Sequence, residues 1–382
     1  MSIKSTIIDY YYKWGNIPAW RVEVVGFNRA HKSAAQFLKK HPQPRLTDGE
    51  KAEIDRFWSR YGIRFPDYSW FEMLYGITGI HDPRFIPDPV VQRVLVRHYN
   101  DCSAIAGWDD KNLYGKLLPD IAFPTTLAHV YRGGLYDGDW RYCPPEERGA
   151  LASRILAAVG DDKTIVVKQA RNTSTGRGVK LVDVTSADDV LACLDKYSKG
   201  NYIMQKRIRQ SGFMSQFCAS SVNIFRVITW RHAGKVDVLS SSVRFGIEGS
   251  PTDVAFVDGV EIVNAAGLEQ DGRVNGRYVS MQGHYGRDIK LTEPVAPNFE
   301  AVLEMARQGH QRLYPFDLVA WDITLDEDNR PVCIEYNVTR PGSTLYQFAN
   351  GPFAGDLTEE LLSFLLEDPS SRKLIPKKYR IN

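Results

Sequence analysis

The chain has 382 residues, 43% of them hydrophobic and 12% aromatic, enough to bury a sizeable core and to favour packed structure over disorder. Its 48 basic and 46 acidic side chains leave a formal charge of only +2, which argues against a dedicated nucleic-acid or membrane-surface binder. No apolar run approaches the length of about 18 residues that a membrane span needs, and MSIKSTIIDYYYKWGN at the start has no apolar targeting region.

The first hundred residues read as helical and irregular. Thr47 stands three residues before Glu50, the spacing of a capping box, and opens an amphipathic run over residues 51–61 that stops at Gly62. Asp82-Pro83 and Pro87-Asp88-Pro89 punctuate the chain before a second helical stretch at 90–99. From about residue 105 the texture changes, with a short helix at 109–118, an extended piece at 121–126, and a helix from Pro144-Pro145 to just before Gly160. Strands are predicted at 164–168, 179–182 and 202–207, with a helix at 187–197 before the last. A polar loop at 210–217 leads into β-like runs at 223–231, 236–245, 254–257 and 270–279. A helix at 298–313 precedes a final strand pair, 317–325 and 332–338. The sum is an α+β unit behind a mainly helical N-terminal region, without internal repeats. Five scattered cysteines (Cys102, Cys143, Cys193, Cys218, Cys333) form no C-x-x-C pair, and an odd one is left over, so a reducing, cytoplasmic setting is expected.

The final strand pair is the most informative segment. If residues 327–330 form a four-residue loop, Asp322 lies opposite Glu335 in a hairpin. Glu335 and Asn337, two apart on one strand, share that face with Cα atoms roughly 6.5–7 Å apart. Facing carboxylates repel unless something positive lies between them. Mg²⁺ fits, because it takes oxygen ligands and joins carboxylates to phosphates. The alternative is a solvated face of a surface hairpin, against which stand the apolar neighbours Val319, Trp321, Ile323, Val332 and Ile334.

Upstream, the strand at 164–168 ends in Lys168, followed by Asn172-Thr-Ser174-Thr175-Gly176-Arg-Gly178. This is neither a Walker nor a Rossmann phosphate motif. The hydroxyls of Ser174 and Thr175 and the backbone of Gly176 and Gly178 could still meet phosphate oxygens; the alternative is a flexible hairpin tip. Arg226 lies in an apolar strand and needs a partner, either a structural carboxylate or a phosphate. Arg244, at the end of the run 236–245, is a further substrate candidate. After the hairpin, Thr339-Arg340-Pro-Gly-Ser343-Thr344 precedes a helix from Leu345. Ser343 or Thr344 reads as its N-cap, and such a helix start could hold a substrate carboxylate or be an ordinary capped end.

The ordered set Lys168, Gly176/Gly178, Gln205-Lys206-Arg207-Ile208, Arg226, Asp322 and Glu335-x-Asn337 resembles the ATP-grasp superfamily. LTDGEKAEIDRFWSRYG, FEMLYGITGIHDPRFIPD, DKNLYGKLLPDIAFPTT, SVNIFRVIT and IEYNVTRPGST more narrowly resemble its sugar-transfer-associated family, over roughly residues 45–350. The resemblance implies an ATP-grasp fold in which two α+β subdomains, at 106–205 and 206–365, enclose ATP. A helical region at 1–105 and a tail at 366–382 complete the chain. Lys111 and Lys168 would contact phosphates under the glycine loop, and Gln205, Lys206 and Ile208 would meet adenine. Asp322, Glu335 and Asn337 would hold one or two Mg²⁺, with Arg226 stabilising the transferring phosphoryl group. Arg244, Arg340, Ser343 and Thr344 would face substrate. Two segments depart from the family pattern: the unusually basic hinge 205–207, with no acid to grip the ribose, and the stretch 252–256.

The activity implied is a ligase that joins a small-molecule carboxylate to an amine through an acyl phosphate, in a polysaccharide or sugar-conjugate setting. The competing readings are a small-molecule kinase of the same fold and a non-catalytic nucleotide-binding protein. Neither nucleic acid nor membrane is an expected partner. The oligomeric state stays open, a homodimer being one candidate.

Overall fold

The computed structural model describes residues 32–171, 178–257, 260–280, 287–288 and 290–381. The chain divides into two compact units.

One unit holds the described residues up to Asp101 together with those from Thr339 onward. Its helix α1 (Asp48–Ser59) starts as the sequence dictates: the Glu50 N–H donates to Thr47 Oγ1 (3.3 Å) and the Thr47 N–H to Glu50 Oε2 (2.6 Å). Ile54, Phe57 and Trp58, at helical spacing, are its buried face. The helix predicted at 90–99 begins at Asp88 and contains a π-helical stretch, Val91–Leu95. The helix after the hairpin is Ser343–Asn350, and its N-cap is Gly342, at φ +77° with no side-chain cap hydrogen bond. The expectation that Ser343 or Thr344 caps it is corrected, since both are already helical.

The second unit, Cys102–Val338, contains two antiparallel sheets. The first has five strands: β1 (Thr126–Tyr131), β2 (Gly134–Asp137), β3 (Thr164–Gln169), β4 (Val179–Asp183) and β5 (Asn201–Lys206), in the order β2-β1-β5-β3-β4. Helices α2 (Arg148–Val159) and α3 (Ala187–Lys196) cover it, and Leu151, Ile155, Val190 and Leu194 join Ile165, Val167 and Met204 in one core.

The second sheet is built from β6 (Ile224–His232), β7 (Lys235–Phe245), β8 (Val254–Val257), β9 (Val260–Leu268), β10 (Val274–Ser280), β11 (Arg287–Asp288), β12 (Leu318–Leu325) and β13 (Pro331–Asn337). Its order is β11-β10-β9-β7-β6-β12-β13, with β8 paired to β9. Helix α4 (Phe299–Arg312) packs Val302, Leu303 and Ala306 into its core. Helix and sheet approach closely at Gly309, where a Cβ would stand 2.5 Å from the Trp321 ring. Every residue of β12 is buried.

Two expectations are corrected. The run 270–279 is not one strand, because residues 269–273 form a turn: the Glu269 N–H donates to Arg273 O (2.9 Å), and Gly272 takes φ +83°. The missing strand β9 lies just before it. Its Asn264-Ala265-Ala266-Gly267 core has weak β propensity and is held instead by pairing to β7 and β10. The loop at 210–217 is also less polar than predicted, since it contains a helical turn (Gly212–Ser215) that buries Phe213 and Met214.

Candidate active site

Three neighbouring strands carry one charged row. Arg226 on β6 pairs with Asp322 on β12, and Asp322 pairs with Glu335 on β13. The hairpin reaches this register by an unexpected route. The Asp326 N–H donates to Arg330 O (2.9 Å) and Asn329 takes φ +59°, so the loop is one residue shorter than the predicted 327–330. Alone, that turn would set Asp322 against Ile334. A register shift between Asp322 and Ile323 makes Ile334 the extra residue of a β-bulge and restores Glu335 to the position opposite Asp322.

Arg226 holds Asp322 bidentately, Nε to Oδ1 at 2.5 Å and Nη2 to Oδ2 at 3.0 Å, with both side chains 7% exposed. The structural-carboxylate alternative for Arg226 is therefore realised. Asn337 Nδ2 donates to Asp322 Oδ2 at 3.4 Å, so its carbonyl oxygen stays an acceptor. Lys111 Nζ lies 3.2 Å from Glu335 Oε2. On the same sheet, Arg244 Nη2 lies 2.8 Å from Asp253 Oδ2.

Burial pushes the Asp322 carboxyl up, against the pull of Arg226 and Arg244. Burial also opposes ionisation of Glu335, but Lys111, Lys168 and Arg226 outweigh it and hold that carboxyl below its ordinary value. Burial works against the Lys111 charge too, yet Glu335 and Asp109 keep its pKa above the ordinary value. Lys168 goes the other way: burial, aided by Lys111, brings it down to about 8 despite Glu335. Two opposed carboxylates and an amide oxygen on one face form an all-oxygen donor set that fits Mg²⁺ in type. Among the described residues, no group of three or more His, Cys, Asp and Glu side chains forms a metal cluster.

A cleft of about 400 Å³ opens over Asp322 and Glu335. Lys111, Lys168, Gly178, Gln205, Lys206 and Ile208 all line it, as do Asp322 and Glu335. Lys111 is placed by its neighbour Asp110, fully buried, which accepts from the Asn112 N–H (3.0 Å) and from Arg171 Nε (2.6 Å). Gln205 Nε2 donates to Pro124 O (3.2 Å), fixing its amide. Gly178, at φ +85°, accepts from the Gln169 N–H. Ser174, Thr175 and Gly176 lie outside the described residues.

Arg340, Ser343 and Thr344 belong to the other unit, where they gather around Asp88. Ser343 Oγ donates to Asp88 Oδ1 (3.0 Å) and Gln92 Nε2 to Asp88 Oδ2 (2.6 Å). Burial raises the Asp88 carboxyl above its usual value, exceeding the opposite effect of these bonds and of Arg340. The anion at this helix start is thus the protein's own.

Sequence reasoning missed several cleft residues. Asp253 sits in the stretch 252–256 that departs from the family pattern, and that departure was its only signal. Asp162, paired to Arg209 (2.8 Å), lines the cleft from a turn that carries no motif. Ile334 enters only because the strand is bulged.

Two antiparallel sheets with a lysine-lined cleft between them, facing an Arg–Asp–Glu row, define an ATP-grasp fold. The chain belongs to the sugar-transfer associated ATP-grasp family, whose signature matches residues 91–361. No curated protein matches it. Among solved structures it is similar to D-alanyl-alanine synthetase A from Vibrio cholerae (14% identity, 70% of this chain and 68% of that one, TM-score 0.39). It is also similar to the VanG D-Ala:D-Ser ligase from Enterococcus faecalis (14%, 70% and 63%, 0.42). An ADP complex of N5-carboxyaminoimidazole ribonucleotide synthetase is similar at 10% identity over 60% of this chain, with a TM-score of 0.36, and the match spans 45% of that protein's length. No helix among the described residues is long and apolar enough to cross a membrane.

Proposed function

We propose that the cleft binds ATP with one or two Mg²⁺ and that the protein joins a carboxylate to an amine through an acyl phosphate. The observation that carries this reading is that Asp322, held from behind by Arg226, and Glu335 line one cleft together with Lys111 and Lys168. Lys111 and Lys168 are assigned to the phosphates, with Ser174, Thr175, Gly176 and Gly178 closing over them. Gln205, Lys206 and Ile208 are assigned to the base. Asp322, Glu335 and the Asn337 carbonyl would hold Mg²⁺, which when bound neutralises phosphate charge. Arg244, beside Asp253, is assigned to substrate.

Transfer of the γ-phosphoryl group to a carboxylate brings two anions together, so fixed cations are what the reaction needs. The β,γ P–O bond breaks as a carboxylate oxygen forms the new one, and ADP departs. The amine nitrogen then attacks the acyl carbon, the C–O bond to phosphate breaks, and the nitrogen proton passes to solvent. Lys111 and Lys168 offset the phosphate charge. Arg226 is assigned to stabilising the transferring phosphoryl group, its guanidinium fixed beside the site by Asp322. No protein nucleophile is required.

The test is ADP release with ATP, Mg²⁺ and panels of acids and amines, with hydroxylamine added to trap an activated acid as its hydroxamate. Acid-dependent ADP release with hydroxamate formation is expected, abolished in Glu335→Gln and Lys168→Ala. Phosphorylated product without hydroxamate would replace this reading with a kinase.

A further inference from the structure

A second cavity, of about 270 Å³, adjoins the cleft and shares Lys111, Lys168, Gln205 and Ile334 with it. Trp140, Thr126, His129 and Asp139 line its other parts. Trp140 has φ +67°, a left-handed backbone that is a marked outlier for so bulky a side chain.

The same turn occurs twice in this chain, which isolates what is unusual. In both, an Asp N–H donates to the carbonyl of an Arg four residues on: Asp137 to Arg141 (2.9 Å) and Asp326 to Arg330 (2.9 Å). In both, the Asp carboxylate accepts backbone N–H groups from the third and fifth residues: Asp139 (3.0 Å) and Arg141 (2.9 Å), Asp328 (3.0 Å) and Arg330 (2.8 Å). The fourth residue is left-handed in each. At Asp326–Arg330 it is Asn329, a residue that tolerates this conformation; at Asp137–Arg141 it is tryptophan. The turn's own hydrogen bonds do not require an indole.

The indole is also held in place. A Cβ at Gly138 would stand 2.3 Å from Thr126 O, so the backbone beside Trp140 is pressed against β1. The ring stacks on His129 (centroids 4.1 Å apart, planes at 18°), whose Nδ1 lies 2.9 Å from Asn112 Oδ1. Burial brings His129 down to about 4, so the supporting ring is neutral. Three lysines (Lys111, Lys116, Lys168) and one acid, Asp139, line this cavity, Lys111 being also paired with Glu335.

We propose that this cavity binds the carboxylate substrate and that the substrate is a sugar acid, its pyranose face on Trp140 and its carboxylate toward Lys111 and Lys168. The inference rests on the ATP reading of the adjoining cleft. Because both cavities share those two lysines, a carboxylate held there abuts the end assigned to the phosphates. The flat C–H face of a pyranose matches the indole plane, and Thr126 and Asp139 offer hydroxyl partners.

The test is ligand-observed NMR with D-glucuronate, D-galacturonate, D-glucose and benzoate on the full chain with ADP and Mg²⁺. At least one uronate is expected to bind wild type at least tenfold more tightly than glucose or benzoate. Trp140→Asn, which suits the left-handed turn, is expected to keep or raise the melting temperature yet weaken that uronate at least tenfold. Failure of both uronates to bind, binding of glucose or benzoate as tightly, or undiminished uronate binding by Trp140→Asn would overturn the proposal. ADP affinity, titrated in the same samples, separates the two readings: its absence sinks the nucleotide cleft, whereas uronate results judge the second cavity.

Discussion

Asp322 and Glu335 face each other across β12 and β13 because Ile334 is one residue too many for the ladder. In the register set by the Asp326–Arg330 turn, Glu335 would fall opposite Trp321 and point into the core. The bulge shifts it by one position, which in a strand is a change of face. It also turns Ile334 toward the cleft.

Deleting Ile334 should therefore regularise the ladder while leaving Glu335 opposite Asp322. Cooperative unfolding is expected to survive, and nucleotide affinity to weaken by about 1 kcal/mol, roughly fivefold, from the lost apolar contact. Thermal denaturation and nucleotide titration read the two effects. Loss of cooperative folding would mean that the bulge is needed for more than register.

The Arg226–Asp322 pair makes a separate prediction, because both partners are buried. Arg226→Met leaves an uncompensated carboxylate and is expected to destabilise by about 3–5 kcal/mol. The double variant Arg226→Met, Asp322→Leu should recover most of that loss, since two buried charges leave together. Denaturant titration of the single and double variants measures it. Equal destabilisation in both would show that the pair contributes more than mutual charge compensation.

What was legible in the sequence follows from local physics. The α1 capping box needs only Thr47 and Glu50 at the right spacing. Asp322 and Glu335 were legible because acids within apolar β runs conflict with burial, and conflict draws the eye to chemistry. What escaped depends on distant neighbours. In strand β9 the stretch Asn264-Ala265-Ala266-Gly267 has little propensity of its own and is held by β7 and β10, which flank it. Ser343 lost the N-cap position to Gly342 because its hydroxyl is committed to Asp88, 255 residues away in the chain. Trp140 carried no motif, and its meaning comes from a backbone angle.

Lys168 sets a pH limit. With its pKa brought down to about 8 by burial, the free enzyme loses this cation as pH rises through that value. Since kcat/KM reports ionisations of the free enzyme, kcat/KM for ATP should fall above pH about 8 while kcat falls less, bound phosphate favouring the charged lysine. Lys168→Arg should move this alkaline limb to higher pH at whatever activity it retains. A limb unmoved in that variant would assign the ionisation elsewhere.

Asp88 predicts a pH dependence of stability with a definite sign. Its folded-state pKa is raised by burial, so the folded protein binds a proton more readily there than the unfolded chain, whose value is near 3.8. By linkage, burying this carboxylate lowers stability at neutral pH, and the loss is relieved as pH falls through the folded-state value toward the unfolded one. Asp88→Ala removes that titration and leaves Ser343 and Gln92 without their acceptor, at a cost of about 1–3 kcal/mol. The stability gap between wild type and Asp88→Ala should therefore widen from pH 7 to pH 4.5. Paired denaturant titrations at the two pH values measure it. A gap that narrows on acidification would mean that the Ser343, Gln92 and Arg340 contacts outweigh burial and that Asp88 sits in the protein as a favoured carboxylate.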